Sequence, residues 1–172
     1  MKTVVRLSIL VALIALAVPV PAIQVPQTRR EFVEAVAKGA RSVKMETLVV
    51  ERSFGEVYAI LQKRATKCLD VQVKRSGFVG NQLEVSSSDF NPTLRKVGGD
   101  KVEFSLQVVN RPRGIGPTIP HGGLYVMAAD FRSLGKGRTE VVLYRPTMGY
   151  KDITRSLRQW AAAEDADCPK LK

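Results

Sequence analysis

The sequence is poor in the side chains on which most enzyme and metal chemistry depends. Its 172 residues include one histidine, His121, and two cysteines, Cys68 and Cys168. It has no C-x-x-C pair, no G-x-S-x-G nucleophile motif and no EF-hand spacing. One histidine and two cysteines do not make a zinc site, and the glycines at 114–117 lack the lysine of a phosphate loop. We therefore expect a protein that is not an enzyme and that has no metal site and no cofactor.

Aromatic residues are also scarce, at 6% of the chain, although Lys and Arg together number 27 against 16 Asp and Glu. The aromatics do not alternate with the cations, as they do in proteins that stack single-stranded nucleic acid. We expect no nucleic-acid partner. The net charge of +11 instead favours anionic partners such as a lipid membrane surface, lipopolysaccharide, acidic glycans or acidic proteins.

The apolar run at residues 7–18 is 12 residues long, whereas a helix needs roughly 20 apolar residues to span a bilayer. Two cations precede this run and a Val-Pro-Ala sequence follows it, which predicts a secretory signal peptide over 1–22, cleaved after Ala22. Cleavage after Ala17 and retention of the segment as an anchor are the alternatives. The segment contains no cysteine that could carry a lipid.

Cleavage after Ala22 leaves 150 of the 172 residues and lowers the net charge from +11 to +9, since the leader carries two cations. That length suits one domain with a full core. We expect an N-terminal segment with a short helix over 23–42 and a single α+β domain over 43–172. The mature protein would be periplasmic or extracellular.

An exported protein meets an oxidising compartment, where an even pair of cysteines forms a disulfide more often than not. Cys68 and Cys168 are therefore predicted to be joined, closing a loop with a separation of 100 residues. Two structural thiols and a reactive redox pair are the alternatives.

Periodicity predicts three helices. Thr28 and Ser53 each begin a capping-box pattern, predicting helices over 29–38 and 54–67. The helix over 29–38 either docks on the rest of the fold or is an added element at its edge. The helix over 54–67 is strongly amphipathic. A third helix is predicted to be capped by Asp152 and to end near Ala163, with Arg158 on its polar side.

Alternating apolar residues predict an antiparallel meander, because the connections between its strands are short and rich in glycine. The predicted strands cover 43–50, 69–75, 82–88, 101–109, 124–131 and 138–145. The fold class is α+β, with a five- to six-stranded antiparallel sheet and two amphipathic helices on one face.

The order strand, helix, meander, C-terminal helix over 43–163 resembles the helix-grip architecture of START-like lipid-transfer domains and of outer-membrane assembly lipoproteins. The leader, Cys68-Leu69, Trp160-Ala161 and Cys168-Pro169 also resemble small uncharacterised bacterial envelope proteins, which are periplasmic or lipoprotein-like. The chain departs from the lipoproteins because it lacks the anchor cysteine. The resemblance implies a cell-envelope protein and a lipid-like ligand, but it assigns no functional residue.

The segment 110–123 is the most distinctive loop, because it is longer than a hairpin needs and mixes cations with apolar residues. Its candidate binding residues are Arg111, Arg113, Ile115, Ile119 and His121. Such a loop suits a membrane surface, a pocket lid or a protein contact. The alternative is a rigid loop that packs its own isoleucines.

These observations favour an exported, non-enzymatic binding module. Its sheet and C-terminal helix would enclose an apolar cleft, with the 110–123 loop at the mouth, for a lipid-like ligand or an envelope protein. A structural or interaction protein with a filled core, using a basic face on anionic envelope components, is the main alternative. A hydrolase using His121 is the third, but no activated serine accompanies that histidine.

Overall fold

The computed structural model describes residues 25–39, 43–111, 118–146, 149–162 and 166–171. Within these residues the chain forms three helices and six strands in an α+β arrangement. The predicted leader lies outside them. The elements are α1 (Arg29–Ala37), β1 (Val43–Val50), α2 (Phe54–Leu69), β2 (Val71–Val79), β3 (Gln82–Val97), β4 (Lys101–Arg111), β5 (Leu124–Gly135), β6 (Arg138–Pro146) and α3 (Lys151–Ala161).

The six strands form one antiparallel sheet in the order β1-β6-β5-β4-β3-β2. Strands β2 to β6 are a meander, as the short connections predict, and β1 pairs with β6 at the far edge. The predicted antiparallel sheet with α2 and α3 on one face is confirmed.

Strand β3 is longer than its alternation predicts, since it continues through Pro92 to Val97. Proline lacks the N–H that a central strand donates, so it is confined to edges and bulges. The pairing of β2 with β3 ends at Val71 and Phe90. Beyond Phe90, β3 pairs with β4 alone, and Pro92 therefore lies on an edge where its missing donor is tolerated.

The main core lies between the sheet and the two helices α2 and α3. Side chains from both layers fill it, and its largest members are less than 2% exposed. These are Val57, Leu61, Leu69, Val102, Phe104, Leu106, Met127, Phe131, Leu143, Ile153, Leu157 and Trp160. The described part of this interface is therefore closely packed with side chains.

Helix α1 packs on the opposite face of the sheet. Phe32 and Val36 on its buried side contact Ala128 and Tyr144. At its first turn the Arg29 guanidinium donates hydrogen bonds to the carbonyl oxygens of residues 104 and 129 and to the Asp130 carboxylate. The N-terminal segment is thus a docking helix that belongs to the same folded unit as the sheet.

The helix starts follow the predicted caps in two of three cases. Thr28 accepts from the backbone of Glu31, and Ser53 forms a complete capping box with Glu56. Helix α3 differs, because Tyr150 occupies its N-cap position and makes no side-chain cap. Asp152 lies inside the first turn, where a carboxylate still stabilises the helix dipole.

The β2–β3 hairpin projects beyond the sheet. Strand β4 ends opposite Ser87, whereas β2 and β3 continue to pair as far as Val79 and Gln82. We call residues 75–86 the arm. Because antiparallel strands alternate in direction, the arm, the end of β4, the start of β5 and the start of α3 all lie at one end of the sheet.

Candidate ligand-binding site

A cavity of about 440 Å³ lies at the start of α3, and we call it the α3 cavity. It lies between β3, the first turn of α3 and the C-terminal tail. Its lining residues are Phe90, Gly149, Tyr150, Lys151, Asp152, Ile153, Lys170 and Leu171. The volume falls within the roughly 300–1,000 Å³ that small-molecule sites occupy.

The turn between β6 and α3 forms one wall of this cavity. Gly149 and Tyr150 both have positive φ, at 75° and 49°. For a tyrosine this left-handed backbone costs about 1–2 kcal/mol, so surrounding contacts must hold it in place. The Phe90 ring provides one such contact, edge-on to Tyr150 with 6.4 Å between ring centroids.

Burial raises the pKa of the Tyr150 phenol above its usual value of 10, although the positive charge of Arg75 acts in the opposite direction. The phenol is therefore neutral at physiological pH and can donate a hydrogen bond. With Phe90 and Ile153 it gives the cavity an aromatic and aliphatic wall.

The opposite wall is the C-terminal tail, which is held by the predicted disulfide. Cys68 at the end of α2 is bonded to Cys168, so the pairing predicted from the sequence is confirmed. Ala166 is buried in the main core, and Leu171 packs against the same core. Lys170 and Leu171 are therefore placed beside α3 by a covalent bond and an apolar contact.

The charges at the cavity are predominantly positive. Neither Lys151 nor Lys170 forms an ion pair with any described residue, whereas Asp152 pairs with Arg155 at 3.2 Å. The N-terminal end of α3 adds a partial positive charge. An apolar wall beside two uncompensated ammonium groups suits a molecule with an apolar body and an anionic head.

None of the described residues of the candidate loop lines this cavity. Arg111 is exposed and pairs with Asp89 at 3.1 Å. Ile119 is half-buried and His121 is exposed. Arg113 and Ile115 lie outside the described residues.

Two side-chain amides tie the end of this loop to the sheet. Gln107 donates to the carbonyl oxygens of His121 and Gly123, and Asn91 donates to that of Gly122. Gly123 has a φ of 108°, and a Cβ there would lie 2.5 Å from the Val108 carbonyl oxygen. Residues 120–123 are thus a close-packed connection in which position 123 accepts only glycine.

The His121 imidazole makes no hydrogen bond or ion pair with any described side chain, and Gln107 of β4 binds only its backbone carbonyl. No cluster of three or more metal-ligating side chains occurs in the described ranges. No described helix is long and apolar enough to cross a membrane.

No family model, no curated protein and no solved structure matches this chain.

The arm carries an apolar surface that the sequence pattern did not predict. Phe78, Leu83 and Val85 are 76%, 60% and 62% exposed. Phe78 and Leu83 are direct cross-strand partners, and Val85 lies on the same face two residues further on. Leu83 and Val85 alternate within the predicted strand 82–88, whereas Phe78 lies beyond the predicted strand 69–75. The exposure of this face could have been inferred from the helices, because all of the predicted helices are needed to cover the rest of the sheet.

Proposed function

We propose that this protein is an exported, non-enzymatic module that binds a small anionic amphiphile, a lipid-like molecule, in the α3 cavity. The observation that supports this proposal is the pairing of an apolar wall with two lysines that have no described carboxylate partner. The apolar body of the ligand would contact Phe90, Tyr150 and Leu171. Its head group would lie at Lys151 and Lys170.

The position of the cavity modifies the original hypothesis of a cleft between the sheet and the C-terminal helix. That interface is filled by side chains such as Leu157 and Trp160. The open space lies instead at the start of the helix, beside the C-terminal tail. A ligand can therefore enter without opening the main core.

Titration with single-chain carboxylates tests the proposal. Laurate is expected to bind, and each additional methylene that becomes buried should tighten Kd about fourfold. The double variant Lys151→Gln with Lys170→Gln should weaken laurate binding about threefold to tenfold, because two charged contacts are lost. The same variant should leave the binding of dodecanol unchanged.

The matched control is Lys63→Gln with Lys67→Gln, which removes the same charge from an exposed face of α2. It should bind laurate like the unchanged protein. Failure of laurate and of its longer homologues to bind would overturn the proposal. The proposal would also be contradicted if the protein kept a protein partner but no amphiphile through mild purification. That result would favour binding of an envelope protein.

The arm favours a second candidate function, attachment to an anionic membrane surface. Three exposed apolar side chains on one face could enter the acyl boundary, with Lys74 on the same face at the base of the arm beside the head groups. The excess of cations over the whole chain favours an anionic surface. This function corresponds to an interaction protein with a filled core.

A further inference from the structure

A second cavity, of about 310 Å³, lies between α3 and the end of β6, and we call it the arginine cavity. Its lining consists of Arg145 from β6 and of Lys151, Thr154, Arg155 and Arg158 from α3. The α3 residues recur at i, i+3, i+4 and i+7, which places them on one face of the helix.

The charges of the arginine cavity do not balance within the described residues. Glu46 on β1 accepts a hydrogen bond from Arg158 and lies 3.6 Å from the Nε atom of Arg145. Asp152 lies 3.2 Å from Arg155. Two carboxylates thus face four cations, and two positive charges remain uncompensated.

Hydrogen-bond donors in this cluster are also unsatisfied. The Nε atoms of Arg145 and Arg158 are buried and have no hydrogen-bond partner among the described groups. Lys44 is the cross-strand partner of Arg145, and like charges in that position repel. The Thr154 hydroxyl donates to the Tyr150 carbonyl oxygen, so the arginines and Lys151 are the donors that remain.

We propose that the arginine cavity is an anion site for a dianionic phosphate group. A phosphate carries about 1.5 to 2 negative charges at neutral pH, which matches the excess of two positive charges. Its tetrahedral oxygens can accept from several guanidinium groups at once, as planar arginine forks favour. Inorganic phosphate and the head group of a phosphatidic-acid lipid share this chemistry. The site is separate from the proposed amphiphile contacts except at Lys151.

Calorimetric titration of the full mature chain at low ionic strength tests the site. One titration uses inorganic phosphate, and a second uses vesicles containing phosphatidic acid. Arg155→Gln is expected to weaken binding about threefold to tenfold. Arg155 is 66% exposed, so its loss should leave the fold intact. The matched control Lys67→Gln, which removes one charge elsewhere, should bind like the unchanged protein.

Glu46→Gln gives a test of opposite sign. It removes the carboxylate that competes for Arg145 and Arg158, so phosphate binding should tighten about threefold or more. Binding in both titrations identifies a general phosphate site, and binding to vesicles alone identifies the lipid head group as the source of the phosphate. Absence of binding in both titrations would overturn the proposal. Equal weakening by Arg155→Gln and Lys67→Gln would overturn it as well, since that result indicates diffuse charge attraction.

Discussion

At the scale of single residues, the outer face of the sheet depends on one carboxylate that three cations surround. Glu103 is 11% exposed and lies near Arg95, Lys101 at 3.2 Å and Arg29 at 3.7 Å. Partial burial tends to raise the pKa of Glu103, but the hydrogen bond from Arg95 and the charges of Arg29 and Lys101 lower it below its ordinary value of 4.5. The ionised carboxylate therefore stabilises the folded state.

The lowered pKa of Glu103 predicts the pH dependence of stability. This contribution is fully present above about 4.5, the pKa in the unfolded chain, and is lost as the pH falls through the lower folded pKa. Glu103→Gln should lower the free energy of unfolding by about 1–3 kcal/mol at neutral pH, because Arg95 loses its carboxylate partner and Arg29 and Lys101 are left with Asp130. Urea unfolding should show this difference shrinking as the solution is acidified.

The control for this experiment is Glu34→Gln, which changes an exposed carboxylate of α1 that pairs with Arg30. Its effect should stay within about 0.5 kcal/mol at every pH. A difference between Glu103→Gln and the unchanged protein that stays constant with pH would contradict the linkage.

At the scale of elements, the arm exposes apolar side chains that make no contribution to the core, so the stability of the fold does not explain them. An isolated two-stranded hairpin is only marginally stable in water. Its apolar face is continuous from Val85 to Phe78. Attachment to a membrane surface would give this face a partner.

The membrane-attachment function predicts that the arm carries vesicle binding. Phe78→Ser with Leu83→Ser should reduce co-sedimentation with phosphatidylglycerol vesicles by at least about tenfold, because burying each side chain contributes about 1.5–3 kcal/mol. The free energy of unfolding should change little, since both side chains are exposed. The matched control is Met45→Ser with Val49→Ser on β1, which also removes two exposed apolar side chains.

Two results would count against attachment through the arm. One is equal loss of vesicle binding in the arm variant and in the β1 control, which would indicate general surface hydrophobicity. The other is self-association of the unchanged protein that the arm variant abolishes, which would assign the apolar face to a second copy of the chain.

Several elements were predictable because their signals are local. Ser53 and Glu56 lie three residues apart, and the apolar stripe of α2 repeats within one helix. Strand β3 was predicted too short because the tolerance of Pro92 depends on where β2 stops pairing. The start of α3 was predicted at Asp152 because a tyrosine cap with left-handed backbone has no sequence signature.

At the scale of the whole molecule, the disulfide joins the end of α2 to the tail beyond α3 across a separation of 100 residues. Cys68→Ser and Cys168→Ser should lower the free energy of unfolding equally, by roughly 2–5 kcal/mol. The double variant should be no less stable than either single variant, because each already removes the whole crosslink. Denaturant unfolding of the oxidised protein and of the variants measures this.

Reduction of the unchanged protein provides the control, since it should reproduce the stability of the variants. Two titratable thiols in protein taken from an oxidising compartment would contradict the prediction. The variants should also bind laurate more weakly, because the tail that places Lys170 and Leu171 is then held by apolar contacts alone.

Local pattern in the chain was enough to specify the helices, the alternation of the strands, the surplus of cations and the pairing of two cysteines. Each of these depends on neighbouring residues or on a single possible partner. The candidate sites depend on residues far apart in the chain. Phe90 meets Tyr150 and Leu171 at one cavity, and Glu46 meets Arg158 at the other. Only strand order and helix packing bring such groups together, so only the tertiary structure decided which cations lack a partner and which apolar face stays exposed.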